Sequence, residues 1–257
     1  MTISIIGSGN IAHYFANCFL KSGFEIRDVW SRDEGKGKIF AESFQASFKP
    51  KIQDFSADAD IIILAVKDDA IKDVSKMLPR TNALIVHTAG SVSLDVISPE
   101  IKYKAVIWPV YSINKNHLPD NIAIPLVIEI ENEAYINKIE ELAKSISPLY
   151  WFTNYEQRKR LHLAAVMSHN FMNHLLALAE MNCKEQQLPF DILKPIIQQT
   201  FENAMTFSAL ESQTGPAIRN DVQTMERHLE LLKNSEEQAK IYLAISDSIQ
   251  KIYNHHE

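Results

Sequence analysis

Apolar runs alternate with amphipathic stretches through the first part of the chain. Residues 61–66 form a continuous apolar run, Ile-Ile-Ile-Leu-Ala-Val, which is typical of a parallel strand buried on both faces. The predicted strands are residues 2–6, 24–30, 61–66, 83–86 and 105–107, and the predicted helices between them are residues 12–21, 36–44 and 70–77. This alternation predicts an α/β fold with a doubly wound, mostly parallel Rossmann sheet.

Residues 122–130 and 149–153 are two further predicted strands, which complete the same sheet on either side of a helix over 133–147. No strand pattern follows residue 155. The predicted helices there are residues 156–184, 190–210, 221–234 and 236–254. We therefore expect a dinucleotide-binding domain over 1–154 and an all-helical substrate and dimerisation domain over 155–257.

The helical stretch 161–176 is apolar around most of its circumference. A helix of this kind is buried in a core or against a second subunit. The net charge of −6 comes with no basic cluster, which argues against nucleic acid as the main partner. Two cysteines and no apolar run of membrane-spanning length predict a reducing, cytoplasmic setting with no membrane partner. We expect no leader segment, because the first strand begins at residue 2.

A glycine-rich turn joins the first predicted strand to the first predicted helix. Gly7, Gly9 and Ala12 stand in the spacing of the dinucleotide fingerprint G-x-G-x-x-G/A. Gly7 permits a tight turn, Gly9 lets the backbone approach a pyrophosphate, and Ala12 allows close helix packing. The predicted cofactor contacts in this turn are Gly7, Ser8, Gly9, Asn10 and Ile11.

Ser31 and Arg32 follow the second predicted strand, where a Rossmann fold meets the adenine ribose. An acid there binds the 2′-hydroxyl of NAD, whereas an arginine accommodates the 2′-phosphate of NADP. The pair therefore favours NADP. Asp33 keeps NAD open as an alternative, because a slip of one residue would bring an acid to the ribose.

Several stretches together resemble a known family. They are Gly-Ser-Gly-Asn-Ile-Ala at 7–12, Ser31-Arg32, His87-Thr88-Ala89-Gly90-Ser91, Pro109, His162-Leu163-Ala164-Ala165 with Asn170, and Thr214 to Asp221. The chain resembles the Rossmann-like NADP oxidoreductase family with a C-terminal helical domain of unknown function. That family is distantly similar to pyrroline-5-carboxylate reductase and to the β-hydroxyacid dehydrogenases that include 6-phosphogluconate dehydrogenase. The resemblance implies the two-domain plan, NADP, and a homodimer through the helical domains.

Two positions depart from these relatives. The family often carries histidine before the proline at 109, where this chain has Trp108. The β-hydroxyacid dehydrogenases carry a catalytic lysine and, four residues later, an asparagine on the first long helix. This chain has no lysine between Lys159 and Lys184, so that catalytic pair is absent.

The carboxyl ends of the strands supply further candidates, because ligands of open α/β sheets bind there. His87 ends a predicted strand and is a candidate acid or base; the alternative is a structural histidine that caps a helix or bonds a loop carbonyl. The remaining predicted contacts are Val66, Lys67, Gly90 and Pro109 for the cofactor, and Ser91 and Tyr111 for the substrate.

His162 and Asn170 lie on the apolar helix and match the family motif, so we predict both, with His87, as catalytic residues. Buried polar side chains need partners, so the alternative is an interhelical hydrogen-bond network. Arg219 could clamp a substrate carboxylate or phosphate, or pair with Asp221 or Glu211. The chain has no His-x-x-x-His or Cys-x-x-Cys, and we expect no metal.

The sequence therefore predicts an NADP-dependent oxidoreductase that transfers hydride to or from a small carbonyl, hydroxyl or imine compound. The alternative is a non-catalytic redox sensor, or a dimeric binding module, that holds NADP(H) without turnover. The absent lysine–asparagine pair supports that alternative.

Overall fold

The computed structural model describes residues 1–56, 58–116 and 123–253. The chain divides into two compact units, Met1–Ser168 and His169–Glu257. The predicted boundary after residue 154 coincides with the start of the helix Tyr155–Ala165, which belongs to the first unit.

An eight-stranded sheet forms the centre of the first unit. The strands are β1 (Thr2–Ile6), β2 (Glu25–Trp30), β3 (Ser47–Phe48), β4 (Ile61–Leu64), β5 (Leu84–His87), β6 (Lys104–Pro109), β7 (Leu126–Ile130) and β8 (Tyr150–Phe152). Their order is β3-β2-β1-β4-β5-β6-β7-β8, and β6 with β7 is the antiparallel pair. The predicted mostly parallel, doubly wound sheet is confirmed. The strand predicted over 122–130 begins outside the described residues.

Helices cover both faces of the sheet. They are α1 (Asn10–Lys21), α2 (Glu34–Ser43), α3 (Ile71–Lys76), α4 (Ile136–Ile146) and α5 (Tyr155–Ala165). One apolar layer joins α1, α2 and α4 to the sheet, and the other contains residues of α3 and Ala165. Because β4 and β5 each contribute residues to both layers, they are buried along their whole length, as continuous apolar runs predict.

The second half of the chain is helical, as predicted. Its helices are α6 (Met172–Glu185), α7 (Lys194–Thr206), α8 (Val222–Leu231) and α9 (Glu236–Tyr253). The single helix predicted over 156–184 is interrupted, because Val166–Phe171 forms a π-helical segment between α5 and α6. Asp221 accepts a hydrogen bond from the Thr224 amide at 3.1 Å and caps α8. The predicted end of the last helix, residue 254, lies outside the described residues.

Little apolar surface is buried within the second unit. Among residues 169–253, Ala217 alone is buried, and large side chains on α6, α7 and α9 are exposed. Within the described part of the chain, every helix is too short or too polar to cross a bilayer.

The two glycines of the first turn meet different constraints. Gly7 has φ +116°, and a Cβ there would run into the backbone carbonyl of Ala65. Gly9 has an ordinary φ of −85°, and a Cβ there would meet nothing within 4 Å. The first glycine is therefore required by the fold, and the second leaves an open space beside the backbone.

Substitution of each glycine by alanine should separate these constraints. Gly7→Ala should lower the free energy of unfolding by about 2 kcal/mol or more, because it combines backbone strain with a clash against a carbonyl. Gly9→Ala should cost no more than about 1 kcal/mol, the usual loss at a helix N-cap. Urea unfolding followed by circular dichroism measures both. Equal losses in the two variants would contradict this interpretation.

Candidate functional site

The strand register brings the ends of four strands into one row. Ile6 pairs with Trp30 on one side and with Leu64 on the other, and Leu64 pairs with His87. Since β1, β2, β4 and β5 are parallel, the segments that follow them meet at one edge of the sheet. This edge contains the glycine-rich turn, Ser31 and Arg32, Val66 and Lys67, and the segment after His87.

The glycine-rich turn presents unpaired backbone amides. The Gly7 amide donates to the Trp30 carbonyl at 2.8 Å, which fixes the turn beside β2. Gly9 is the N-cap of α1, with no capping side chain and no acidic residue in the first turn. The first amides of a helix carry partial positive charge and need acceptors. The turn therefore fits a pyrophosphate.

The predicted ribose site is assembled beside this turn. The hydroxyl oxygens of Ser8 and Ser31 lie 2.9 Å apart, so the two segments are in contact. Asp33 accepts a hydrogen bond from the Lys36 amide at 3.0 Å and caps α2. Arg32 is exposed and has no hydrogen bond or ion pair with any described residue. The Asp33 carboxylate is thus bonded at the start of α2, whereas the Arg32 guanidinium is available to a ligand. This arrangement favours a 2′-phosphate over a free 2′-hydroxyl.

His87 is fully buried at the end of β5. Its Nδ1 accepts a hydrogen bond from the Ala89 amide at 3.2 Å, which assigns the proton of the neutral ring to Nε2. Nε2 has no partner among the described residues. Burial, together with the nearby positive charge of Arg158, lowers the pKa of His87 to about 3. A ring that stays neutral near pH 7 does not favour the predicted acid–base role, and this arrangement resembles the structural alternative.

A buried arginine holds the segment that follows His87. Arg158, on α5, is fully buried and donates to the backbone carbonyls of Ala89 at 3.0 Å, Gly90 at 2.9 Å and Val92 at 2.7 Å. Its Nε and Nη2 also donate to Glu129 Oε2 on β7, at 3.0 and 2.8 Å. The sequence did not predict a role for this residue. Arg158 stands in a polar helical turn, Tyr-Glu-Gln-Arg-Lys-Arg, and nothing there distinguishes it from the exposed Arg160.

Gly90 lies against two aromatic rings. A Cβ at Gly90 would approach His162 Cδ2 to 2.5 Å and Trp108 Cε2 to 2.6 Å. The rings of Trp108 and His162 are 5.3 Å apart between centroids. Only glycine fits between this ring pair and the neighbouring backbone. His162 is partly exposed, so the structure places a histidine ring beside the segment after β5.

Ser91 connects two loops at the same edge. Its hydroxyl donates to Asp68 Oδ2 at 3.2 Å, and its carbonyl accepts from the Tyr155 hydroxyl at 3.4 Å. Asp68 and Asp69 stand just before α3, but neither makes a capping bond in the described structure. Asp68 instead tethers Ser91, because the register brings the ends of β4 and β5 together.

The other predicted residues fall in two places. Val66, Lys67, Pro109 and Tyr111 follow or end β4 and β6, and Tyr111 is exposed. The side chain of Asn10 accepts from the Lys115 amide at 3.3 Å, which links the segment after β6 to the start of α1. Asn170, in the π-helical segment, and Arg219 are exposed residues of the second unit. Arg219 makes no ion pair with Asp221 or Glu211 there.

The part of the chain that the structure describes contains no group of three or more His, Cys, Asp or Glu side chains that could hold a metal ion.

Two family models match the chain. Residues 2–90 match the model described as NADP oxidoreductase, coenzyme F420-dependent. Residues 124–249 match a domain of unknown function, DUF2520. No curated protein matches the chain.

Solved structures match over nearly the whole length. A "putative NADP oxidoreductase" from Bacteroides fragilis is 32% identical, with a TM-score of 0.86, and the match covers 97% of this chain and 98% of that one. A reductive aminase from Aspergillus terreus, solved with NADPH and ethyl levulinate, is 16% identical with a TM-score of 0.74 and coverages of 99% and 94%.

A 1-pyrroline-5-carboxylate reductase from Streptococcus pyogenes is 18% identical, with a TM-score of 0.60 and coverage of 98% of both chains. The reductive aminase and this reductase show a shared fold.

The expected cofactor, NADP, is confirmed at the level of the family by the N-terminal model and the Bacteroides relative. The chain belongs to the Rossmann-like NADP oxidoreductase family whose C-terminal helical domain is the domain of unknown function DUF2520.

Proposed function

We propose that this protein is an NADP-dependent oxidoreductase that transfers hydride to or from a small carbonyl, hydroxyl or imine compound. The observation that carries the proposal is the shared sheet edge, where free helix amides, an unpaired Arg32 and an anchored segment after β5 meet. The 1-pyrroline-5-carboxylate reductase with the same fold is named for a C=N compound, and this supports an imine as one substrate class.

In this proposal the two ends of NADP meet different groups. The amides at the start of α1 hold the pyrophosphate, and Ser31 and Arg32 hold the phosphorylated ribose. Val66, Lys67, Gly90 and Pro109 contribute to the nicotinamide end. Ser91 and Tyr111 are the proposed substrate contacts at this edge. Arg219 is proposed from the sequence alone as a residue that binds a substrate carboxylate or phosphate.

Reduced NADP, when bound, supplies the hydride for a C=O or C=N carbon. The protein must then supply a proton to the oxygen or nitrogen. We assign this role to His162, which is partly exposed beside Gly90. Asn170 is proposed from the sequence motif alone as a hydrogen-bonding partner of the substrate. His87 has the opposite properties: it is buried, neutral and bonded to the Ala89 amide. We propose that it orients the segment after β5.

A second candidate is an NADP(H)-binding redox sensor without turnover. It is favoured by the absence of lysine between residues 159 and 184, where the β-hydroxyacid dehydrogenases carry their catalytic lysine. The two candidates share the nucleotide site and differ only in the chemistry that follows binding.

We further propose that the protein is a cytoplasmic homodimer joined through its helical half. Residues 169–253 leave large apolar side chains exposed, among them Met205, Phe207 and Leu231. Apolar surface of this extent is typical of an interface. The free thiols of Cys18 and Cys183 agree with a reducing compartment. Sedimentation should give twice the chain mass of 29.3 kDa.

The main test of the function is oxidation of NADPH, followed at 340 nm, with a panel of small cyclic imines, ketones and aldehydes. At least one member should be reduced, and His162→Ala should lower its kcat with little change in NADPH affinity. Tight NADPH binding with no turnover on any member would favour the sensor. Absence of NADPH binding would contradict both candidates.

Arg32 should determine the preference for NADPH over NADH. Arg32→Ala should weaken NADPH by about tenfold or more, because it removes a charge-assisted contact to phosphate, and should leave NADH nearly unchanged. Arg80→Ala is a matched control, since Arg80 is exposed and precedes β5 at the opposite end of that strand. Calorimetric titration of each variant with both nucleotides measures the effect. Equal weakening of NADPH and NADH would contradict the assignment of Arg32 to the 2′-phosphate.

The buried His87 should make stability depend on pH. Between pH 6.5 and about 3, the unfolded chain binds a proton at this residue and the folded chain does not. Stability is therefore lost as the pH falls through this range, by up to about 1.4 kcal/mol per pH unit. Urea unfolding between pH 4 and 7 should show a shallower fall for His87→Asn than for the wild type. Identical slopes would show that His87 is not a buried neutral base.

A further inference from the structure

We propose that Arg158 is a positioning residue for the nicotinamide half of the cofactor, and that it acts through the loop 88–92. The inference rests on the proposed function, because it assumes that NADP binds at this edge. It concerns a residue that does not itself touch the cofactor or the reacting atoms.

All five N–H groups of the Arg158 guanidinium are used. Nη1 donates to the carbonyls of Ala89 and Gly90, Nη2 to that of Val92 and to Glu129, and Nε to Glu129. Three of the five bonds therefore end on consecutive parts of one loop. A guanidinium is the side chain that offers five donors in a rigid plane. This geometry holds the loop in one conformation.

The same bonds divide the polar groups of the loop into two sets. The carbonyls of Ala89, Gly90 and Val92 are bonded to Arg158, and the Ala89 amide donates to His87. The amides of Gly90 and Ser91 have no hydrogen-bond partner among the described residues. The Tyr155 hydroxyl donates to the Ser91 carbonyl, so all four carbonyls of residues 89–92 are bonded. Neighbouring donors, the amides of Gly90, Ser91 and also Val92, are left for a ligand. A carboxamide or phosphate oxygen is the acceptor that such donors match.

Glu129 fixes the guanidinium across the sheet. It lies on β7, which is separated from β5 by β6, so the arginine connects the loop after β5 to a strand two places away. The Arg158 side chain is fully buried, and that of Glu129 is 15% exposed. An arginine that moved would leave a nearly buried carboxylate unpaired. The ion pair therefore keeps the arginine, and through it the loop, in place.

The proposed site separates the two halves of NADP, and this makes the inference testable. The adenosine half meets the start of α1, Ser31 and Arg32, none of which contacts Arg158 in the described structure. A change at Arg158 should therefore weaken binding of the whole dinucleotide. It should not affect binding of a fragment that contains only the phosphorylated adenosine. A general loss of structure would weaken both.

The test is calorimetric titration of wild type and Arg158→Lys with NADPH and with adenosine 2′,5′-bisphosphate. Lysine keeps the charge but offers three donors from one nitrogen, so most of the loop contacts are lost. NADPH should bind about tenfold more weakly or worse, as expected when well-oriented hydrogen bonds are lost. The affinity for the bisphosphate should differ between the two proteins by less than about twofold, because this ligand loses no contact.

Two variants serve as controls. Arg160→Lys makes the same exchange at an exposed position of the same helix and should leave both ligands unchanged. Glu129→Gln keeps an oxygen acceptor but removes the charge, and leaves the three carbonyl bonds possible. It should lower the unfolding free energy while changing NADPH affinity less than Arg158→Lys does.

Hydrogen exchange on the wild-type chain gives a test that does not depend on the folding of a variant. NADPH should slow exchange of the Gly90 and Ser91 amides, and the bisphosphate should not. The inference is overturned if NADPH leaves these amides unprotected, or if Arg158→Lys weakens NADPH and the bisphosphate equally or leaves both unchanged. If the wild-type protein binds neither the bisphosphate nor NADPH, the proposed NADP-dependent function is wrong, and the inference that rests on it is wrong as well.

Discussion

The parallel pairing of β1 with both β2 and β4 is the constraint on which the candidate site depends. From β1 the chain adds β2 and β3 on one side, and β4 to β8 on the other. The connections leave β1 and β4 in opposite directions, which opens a crevice outside their carboxyl ends. The turn at Gly7 lies at this point. Everything proposed for the cofactor follows from having the ends of β1, β2, β4 and β5 in one row.

A buried ion pair, Arg158 with Glu129, lies at the edge of this crevice. Replacement of a buried ion pair by apolar side chains often leaves stability unchanged or raises it, so stability alone does not explain Arg158 and Glu129. The surface pairs of this chain, such as Lys251 with Asp247 on α9, contribute little. We propose instead that Arg158 fixes the orientation of the loop. It bonds three of the loop carbonyls, and this determines which backbone groups of the loop remain for a ligand.

The outline of the fold could be predicted because it depends on local patterns. Continuous apolar runs indicated the buried strands, and the glycine spacing indicated the turn into α1. The π-helical segment Val166–Phe171 could not be predicted, since it changes the hydrogen-bond register without changing the hydrophobic pattern. The partners of polar side chains could not be predicted either. Asp33 caps α2, Asp68 bonds Ser91, and His87 is buried rather than available to a substrate.

The sequence by itself determined the class of fold, the glycine turn and the position of Arg32 directly after the second strand, because each is encoded in neighbouring residues. Only the tertiary structure decided which polar groups are free. Arg158 and Glu129 are 29 residues apart, and the segment that Arg158 holds lies more than 60 residues before it. Long-range pairing of this kind depends on strand order and register, and these arise only when the whole sheet has formed.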